Sequence, residues 1–188
     1  RVAYRLALDA PDALPALVIL DILPTGEGFE RMRWKAALTA YHWLFLAQPN
    51  PMPETLISAS HQAYVDHTLS SWTKSKSLAS LDPRALQHYR ALMADPKRVH
   101  AVCEDYRAGA SIDRSLDEAD LAAGRKITAP TLVLWGSDYV GKGAVAPMDV
   151  WQAWCTRVEG REINSGHFLA EENPADTLVA IASFLKAQ

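Results

Sequence analysis

The sequence predicts an α/β fold, a mostly parallel sheet with helices on both faces and an inserted all-helical lid. Three observations carry that prediction. Pro15-Ala16-Leu17-Val18-Ile19-Leu20 and Thr131-Leu132-Val133-Leu134-Trp135 are short, continuous apolar runs, the pattern of strands buried on both faces. About a hundred residues between them carry helical stripes and caps and no convincing buried strand. The last third of the chain then reads strand, helix, strand, turn, helix, an order that suits a parallel sheet.

The opening segment Arg1-Val2-Ala3-Tyr4-Arg5-Leu6-Ala7-Leu8 is apolar almost all round, as a buried helix is, and Asp9-Ala10-Pro11 stops it. Because the chain starts without Met and inside a helical pattern, it is expected to be the C-terminal portion of a longer protein. After the first strand comes Asp21, placed where open parallel sheets gather their ligand sites. Locally it serves either that purpose or the capping of the next helix. From Thr25 to about Arg125 the reading is helical. Trp34, Leu38, Tyr41 and Phe45 form one stripe, which Gln48-Pro49-Asn50-Pro51 breaks. A second helix spans about Ser60 to Trp72. Asp82-Pro83 and Asp95-Pro96 are N-cap and first-turn proline signals, for helices to Ala94 and to Arg107, the latter ended by Gly109. Beyond the second strand, Pro147 to Cys155 is an amphipathic helix with Val150, Trp151 and Trp154 inward, and Val158 to Ile163 is the final strand. The boundaries are thus core 1–24, lid 25–125 and core 126–188.

The turn after that last strand, Asn164-Ser165-Gly166-His167-Phe168, precedes a strongly signalled helix. Asn173 is its N-cap, Pro174 its first position and Asp176 its first-turn acid, followed by the apolar stripe Leu178, Ile181, Ala182 and Leu185. A histidine fixed on such a turn suits proton exchange with water near neutral pH, or simply bonds a backbone carbonyl. Strand, helix, strand, histidine turn and final helix is the closing order of an α/β-hydrolase.

Composition narrows the function classes. The chain has 188 residues, 49% apolar and 22% charged, with a formal net charge of -3, which argues against a general nucleic-acid partner. Cys103 and Cys155 stand far apart with no Cys or His at ligand spacing, so neither a disulfide framework nor a zinc site is expected, and a reducing cytoplasm fits. No apolar run approaches the roughly 18–20 residues of a membrane span. His61, His67, His88 and His100 form no metal constellation and are assigned to surface or packing roles.

Five segments together resemble a known family. They are Arg1-Val2-Ala3-Tyr4-Arg5-Leu6-Ala7-Leu8-Asp9, Leu20-Asp21-Ile22-Leu23-Pro24-Thr25, Tyr41-His42-Trp43 with Leu46-Ala47-Gln48-Pro49, Cys103-Glu104-Asp105-Tyr106-Arg107-Ala108-Gly109, and Ser165-Gly166-His167-Phe168. In order and spacing the chain resembles the C-terminal part of the haloacetate (fluoroacetate) dehalogenases of the α/β-hydrolase fold. The resemblance implies an aspartate nucleophile that displaces halide and a water, activated by a His–Asp pair, that hydrolyses the resulting ester. It implies His167 as the base, with Asp21 orienting it, and Asp138 of Gly136-Ser137-Asp138-Tyr139 is the rival for that acid. It implies halide donors at His42, Trp43 and Tyr106, a pocket tryptophan at Trp72 and a substrate-carboxylate arginine at Arg1. Nucleophile and oxyanion hole would precede Arg1, so the chain alone is expected to be inactive. No cofactor or metal is implied, and the partners are a small haloacid, the preceding segment of the same protein and a second copy in a homodimer.

Two other readings stand beside it. The runner-up enzyme is an epoxide hydrolase or another α/β-hydrolase esterase; epoxide hydrolases share the aspartate nucleophile and use lid tyrosines to polarise the epoxide oxygen, a part Tyr41 and Tyr106 could take. A non-catalytic fragment is the reading from a different class.

Overall fold

The computed structural model describes residues 1–143 and 145–188. Among these, three strands form one parallel sheet in the order β1 (Leu17–Leu20), β2 (Thr131–Gly136), β3 (Val158–Ile163). Leu17 pairs with Thr131, and Thr131 with Val158, so the carboxyl ends of all three strands lie at one edge.

Alternate residues of the strands feed two cores. Ile19 and Val133 face one layer, formed with Tyr4, Ala7 and Leu8 of α1 (Val2–Asp9) and Val150, Trp151 and Trp154 of α10 (Pro147–Trp154). Tyr4 meets both tryptophans edge-on, at 5.9 and 6.1 Å between ring centroids, a geometry favoured by the ring quadrupoles. Leu132, Leu134 and Ile163 face the other layer, covered by Leu169 of α11 (Leu169–Glu172) and by Ala180 and Phe184 of α12 (Pro174–Lys186). Pleating alone produces this split, since successive side chains of a strand point to opposite faces.

Between β1 and β2 lie only helices: α2 (Thr25–Glu30), α3 (Trp34–Thr39), α4 (Tyr41–Leu46), α5 (Met52–Ala59), α6 (His61–Trp72), α7 (Pro83–Met93), α8 (Pro96–Ala110) and α9 (Ile112–Ala122), with a single 3-10 turn. They have a core of their own at Leu46, Ile57, Val99 and Cys103. A buried knot closes the block at its base. The Tyr4 hydroxyl bonds Asp117 on α9 at 2.9 Å and Thr25 on α2 at 2.9 Å, and Asp117 also accepts the Gly26 N–H at 2.8 Å. Burial raises the Asp117 carboxyl and pushes the Tyr4 hydroxyl up to about 12.

Asp82 and Asp95 cap α7 and α8 as the sequence predicts, accepting from Arg84 and Lys97 N–H, and Asn173 caps α12 through Asp176 N–H. Other expectations need correction. The first helix is not buried all round, for Val2 is 77% exposed and only Tyr4, Ala7 and Leu8 are covered. The predicted stripe from Trp34 to Phe45 is two helices broken at Ala40, with Trp34 and Leu38 exposed. Gly109 does not end α8. The helix runs through it to Ala110, and Arg1 and Thr25 pack against its bare Cα. In α12 the covered positions are Thr177, Ala180 and Phe184, whereas Leu178 and Leu185 point outward. The helices Met52–Ala59 and Ile112–Ala122 have no counterpart in the sequence reading. Cys103 and Cys155 are both buried and free. No helix among the described residues is long and apolar enough to cross a membrane.

Candidate active site

Three strand ends assemble the centre. Asp21 follows β1 with φ 52°, a left-handed conformation that aspartate tolerates better than most side chains, and its carboxylate is wholly covered. Its Oδ1 accepts the Gly136 N–H from the end of β2 at 2.8 Å. Its Oδ2 lies 2.7 Å from His167 Nδ1 on the turn after β3. Since an ionised carboxylate can only accept, Nδ1 carries the proton and Nε2 is left free to receive one. The β2 and β3 ends are stitched together by Ser137 N–H to Ile163 C=O and Asp138 N–H to Ser165 C=O, both at 3.0 Å. Asp138 itself is elsewhere. It is ion-paired with Lys76 and Lys142, which hold its carboxyl below the usual range, and Asp21 alone of the two meets His167.

From His167 a continuous line of aromatic rings runs into the helical block. His167 to Trp72 is 5.4 Å between centroids, Trp72 to His42 4.4 Å, His42 to Tyr106 5.6 Å and Tyr106 to Trp43 6.3 Å. These residues come from the end of α6, from α4 and from α8. The Arg1 guanidinium stands 4.6 Å from the Tyr106 ring and 6.0 Å from that of Trp43, within cation–π range. Arg1 is also ion-paired with exposed Asp105.

Two polar atoms in this line are buried without a partner among the described residues, Nδ1 of His42 and Nε1 of Trp72. Such orphans are rare and costly in a folded chain, and functional pockets are one place they persist. Burial, then the charges of His167 and Arg1, push His42 down to about 3, so its imidazole is neutral near pH 7. Burial likewise raises Tyr106, which Arg1 partly offsets, and keeps it a phenol that can donate.

The structure therefore brings Asp21, His167, Trp72, His42, Tyr106, Trp43 and Arg1 into one region. Sequence reasoning missed Tyr139, whose ring lies 4.5 Å from that of His167, and Asp105. Both sit beside residues already singled out, Asp138 and Tyr106. Of the other histidines, His100 joins Glu54 and Glu104 in the one group among the described residues whose ligand atoms could surround a metal. There Arg107 bonds both Glu54 oxygens and Glu104, and with His100 and Asn50 holds Glu54 down to about 2. A guanidinium already fills the cationic role, so these residues do not fit a metal ion.

Comparison with known proteins follows the same lines. No protein-family model matches the chain. It is 36% identical over 185 residues to a fluoroacetate dehalogenase of Burkholderia sp, an alignment covering 98% of this chain and 60% of that protein. Among solved structures, a provisionally assigned α/β-hydrolase from Nostoc sp PCC 7120 superposes with a TM-score of 0.92 at 41% identity, covering 98% of this chain and 62% of the other. This chain belongs to the α/β-hydrolase superfamily. A provisionally assigned epoxide hydrolase from Pseudomonas aeruginosa gives 0.91 at 38%, covering 99% and 61%. This α/β-hydrolase chain thus spans about 60% of the length of the curated relative it matches.

Proposed function

We propose that the protein to which this chain belongs removes halide from haloacetates by hydrolysis. One observation carries the reading: a group of neutral donors with one cation beside it sits at the far end of the ring line from a His–Asp pair. A haloacetate presents two demands, a leaving halide and a fixed carboxylate. Tyr106, Trp43 and neutral His42 offer O–H and N–H donors to the first, and Arg1 offers a planar guanidinium to the second.

In the first step, a carboxylate oxygen supplied by the part of the protein outside this chain attacks the halogen-bearing CH₂. The C–O bond forms as the C–halogen bond breaks, and the electron pair leaves with the halide. Donors placed around that ion in a dry pocket lower the barrier most for fluoride, whose charge is the most concentrated. In the second step, His167 Nε2 takes a proton from water as its oxygen attacks the ester carbonyl. Asp21 holds the imidazole in the required tautomer and stabilises the imidazolium. The ester C–O bond then breaks, the proton passes from His167 to the departing alkoxide, glycolate leaves, and the carboxylic acid so formed loses its remaining proton to water, restoring the carboxylate. General-base assistance of this kind is typically worth about 10²–10⁴ in rate. The fluoroacetate dehalogenase similarity supports this reading. Epoxide opening is the rival, supported by the assigned activity of a structural relative, but it leaves Arg1 beside the donor rings without a counterpart on the substrate.

Fluoride release from fluoroacetate by the full-length protein, with glycolate as co-product, is the test. Absence of turnover on fluoro-, chloro- and bromoacetate, with opening of a simple epoxide, decides for the rival.

A further inference from the structure

The histidine turn does not stand by itself on the sheet; a strap from the helical block is fastened across it. The strap is residues 72–77, which leave α6 at Trp72. It is folded on its own account around Thr73, a fully buried residue whose hydroxyl donates to Ser70 C=O at 2.9 Å and accepts the Ser77 N–H at 3.0 Å. The His167 N–H donates to the Trp72 C=O at 2.9 Å. The approach is so close that a Cβ on Gly166 would fall 2.4 Å from Lys74 N and 2.5 Å from Trp72 O, both backbone atoms. One side chain spans the seam. Glu172 Oε2 accepts the Lys74 N–H of the strap at 2.7 Å, and Oε1 of the same carboxylate accepts the Phe168 N–H beside His167 at 3.1 Å. Lys76 pairs with Asp138, Lys74 Nζ bonds Asn164 and Ser137, and the Tyr89 hydroxyl of α7 donates to Glu171 at 2.7 Å. Those contacts lie around the seam, while among the described residues Glu172 alone ties the two backbones through one side-chain group.

We infer that Glu172 is a positioning residue, which fastens the Trp72 strap of the helical block to the His167 turn and so sets the base against the pocket. The physical reason is the bond type. A carboxylate accepting two backbone N–H groups makes two charge-assisted hydrogen bonds with fixed directions, and here the two donors belong to different parts of the fold. With Glu172 removed, His167 keeps Asp21 but its turn and the Trp72 ring are free to drift apart. The bland alternative is that Glu172 merely caps the short helix α11 through Phe168 N–H, in which case the strap is indifferent to it.

The kinetic arm of the test rests on the haloacetate reading; the exchange arm does not. In the full-length protein, excess enzyme is mixed with chloroacetate. Chloride release then reports the displacement step, and decay of the protein mass increased by one carboxymethyl group reports ester hydrolysis. Because His167 serves only the second step, Glu172→Ala is expected to leave chloride release within about twofold and to slow ester decay roughly ten- to a hundredfold, the scale on which a misplaced catalytic group loses rate. Glu172→Gln keeps one accepting oxygen and is expected to recover part of that loss. Equal losses in both steps, or none in either, overturn the inference. Hydrogen exchange is measured on the same variants. Faster exchange in residues 72–77 and 164–170 together supports the strap, even if the wild type forms no ester. Faster exchange confined to residues 168–172, or no change, overturns it.

Discussion

At the residue scale the site works by controlling which atoms hold protons. Asp21 is saturated by Gly136 N–H and His167 Nδ1–H, so Asp21→Asn would face one of those donors with another. A mis-set imidazole tautomer typically costs about 10⁴ in rate, and in the full-length protein both Asp21→Asn and His167→Ala are expected to accumulate the covalent ester, seen as added mass. Ordinary multiple turnover by His167→Ala would remove that residue from its role. Tyr106→Phe removes only a hydroxyl from a buried ring, so it is expected to slow fluoroacetate more than bromoacetate; equal losses would assign Tyr106 to packing. His42 gives a pH signature. The unfolded chain titrates it near 6.5, whereas the folded protein pushes it down to about 3 through burial and the charges of His167 and Arg1. Between those values the unfolded chain binds a proton that the folded one refuses. Stability from neutral His42 is therefore full above about pH 6.5 and is lost as pH falls, by roughly 1 kcal/mol per unit. A His42→Gln variant is expected to lose less stability on acidification from about pH 7 to about pH 4, and parallel stability curves for the two proteins would contradict this.

At the element scale, the three loops at the carboxyl ends of β1, β2 and β3 stand or fall together. Gly136, the last residue of β2, shows why: a Cβ there would lie 2.0 Å from the carbonyl oxygen of Gly166, which is backbone and cannot swing aside. Gly136→Ala must therefore displace the histidine turn. The expected result is a loss of about 1–3 kcal/mol, the usual scale of overpacking, together with loss of activity. Unchanged melting temperature and turnover would show that the turn has slack. How legible the elements were depended on how local their causes are. Asp82, Asp95 and Asn173 were readable as caps because a cap is settled within a few residues. The break at Ala40 and the passage of α8 through Gly109 were not, and for Gly109 the reason is neighbours remote in sequence. Gly109 is where Arg1 and Thr25 approach the helix.

At the scale of the whole molecule the exposed apolar side chains are the notable feature. Val2 and Leu6 on α1 and Leu20 at the end of β1 are 77%, 42% and 38% exposed, and β1 is an edge of the described sheet. An uncovered strand edge beside apolar side chains favours pairing with other chains. The 188-residue chain by itself is accordingly expected to self-associate, and sedimentation that depends on concentration would show it; a stable monomer with a cooperative melting transition would refute it. The proposed homodimer of the full-length protein is a separate matter, tested by the mass of that protein in solution.

The sequence by itself determined the α/β class and the strand–helix order and singled out most of the residues that the site gathers, because hydrophobic period and capping chemistry are local and the five resembling segments are contiguous. Only the tertiary structure decided which acid meets His167, since Asp21 and Asp138 both follow strands and differ in what else surrounds them: a backbone N–H and an imidazole for one, two lysines for the other. It alone placed Tyr139 on His167 and Glu172 across the strap. Those contacts join residues far apart in the chain, and no periodicity or motif encodes a distance between segments that first meet when the sheet closes.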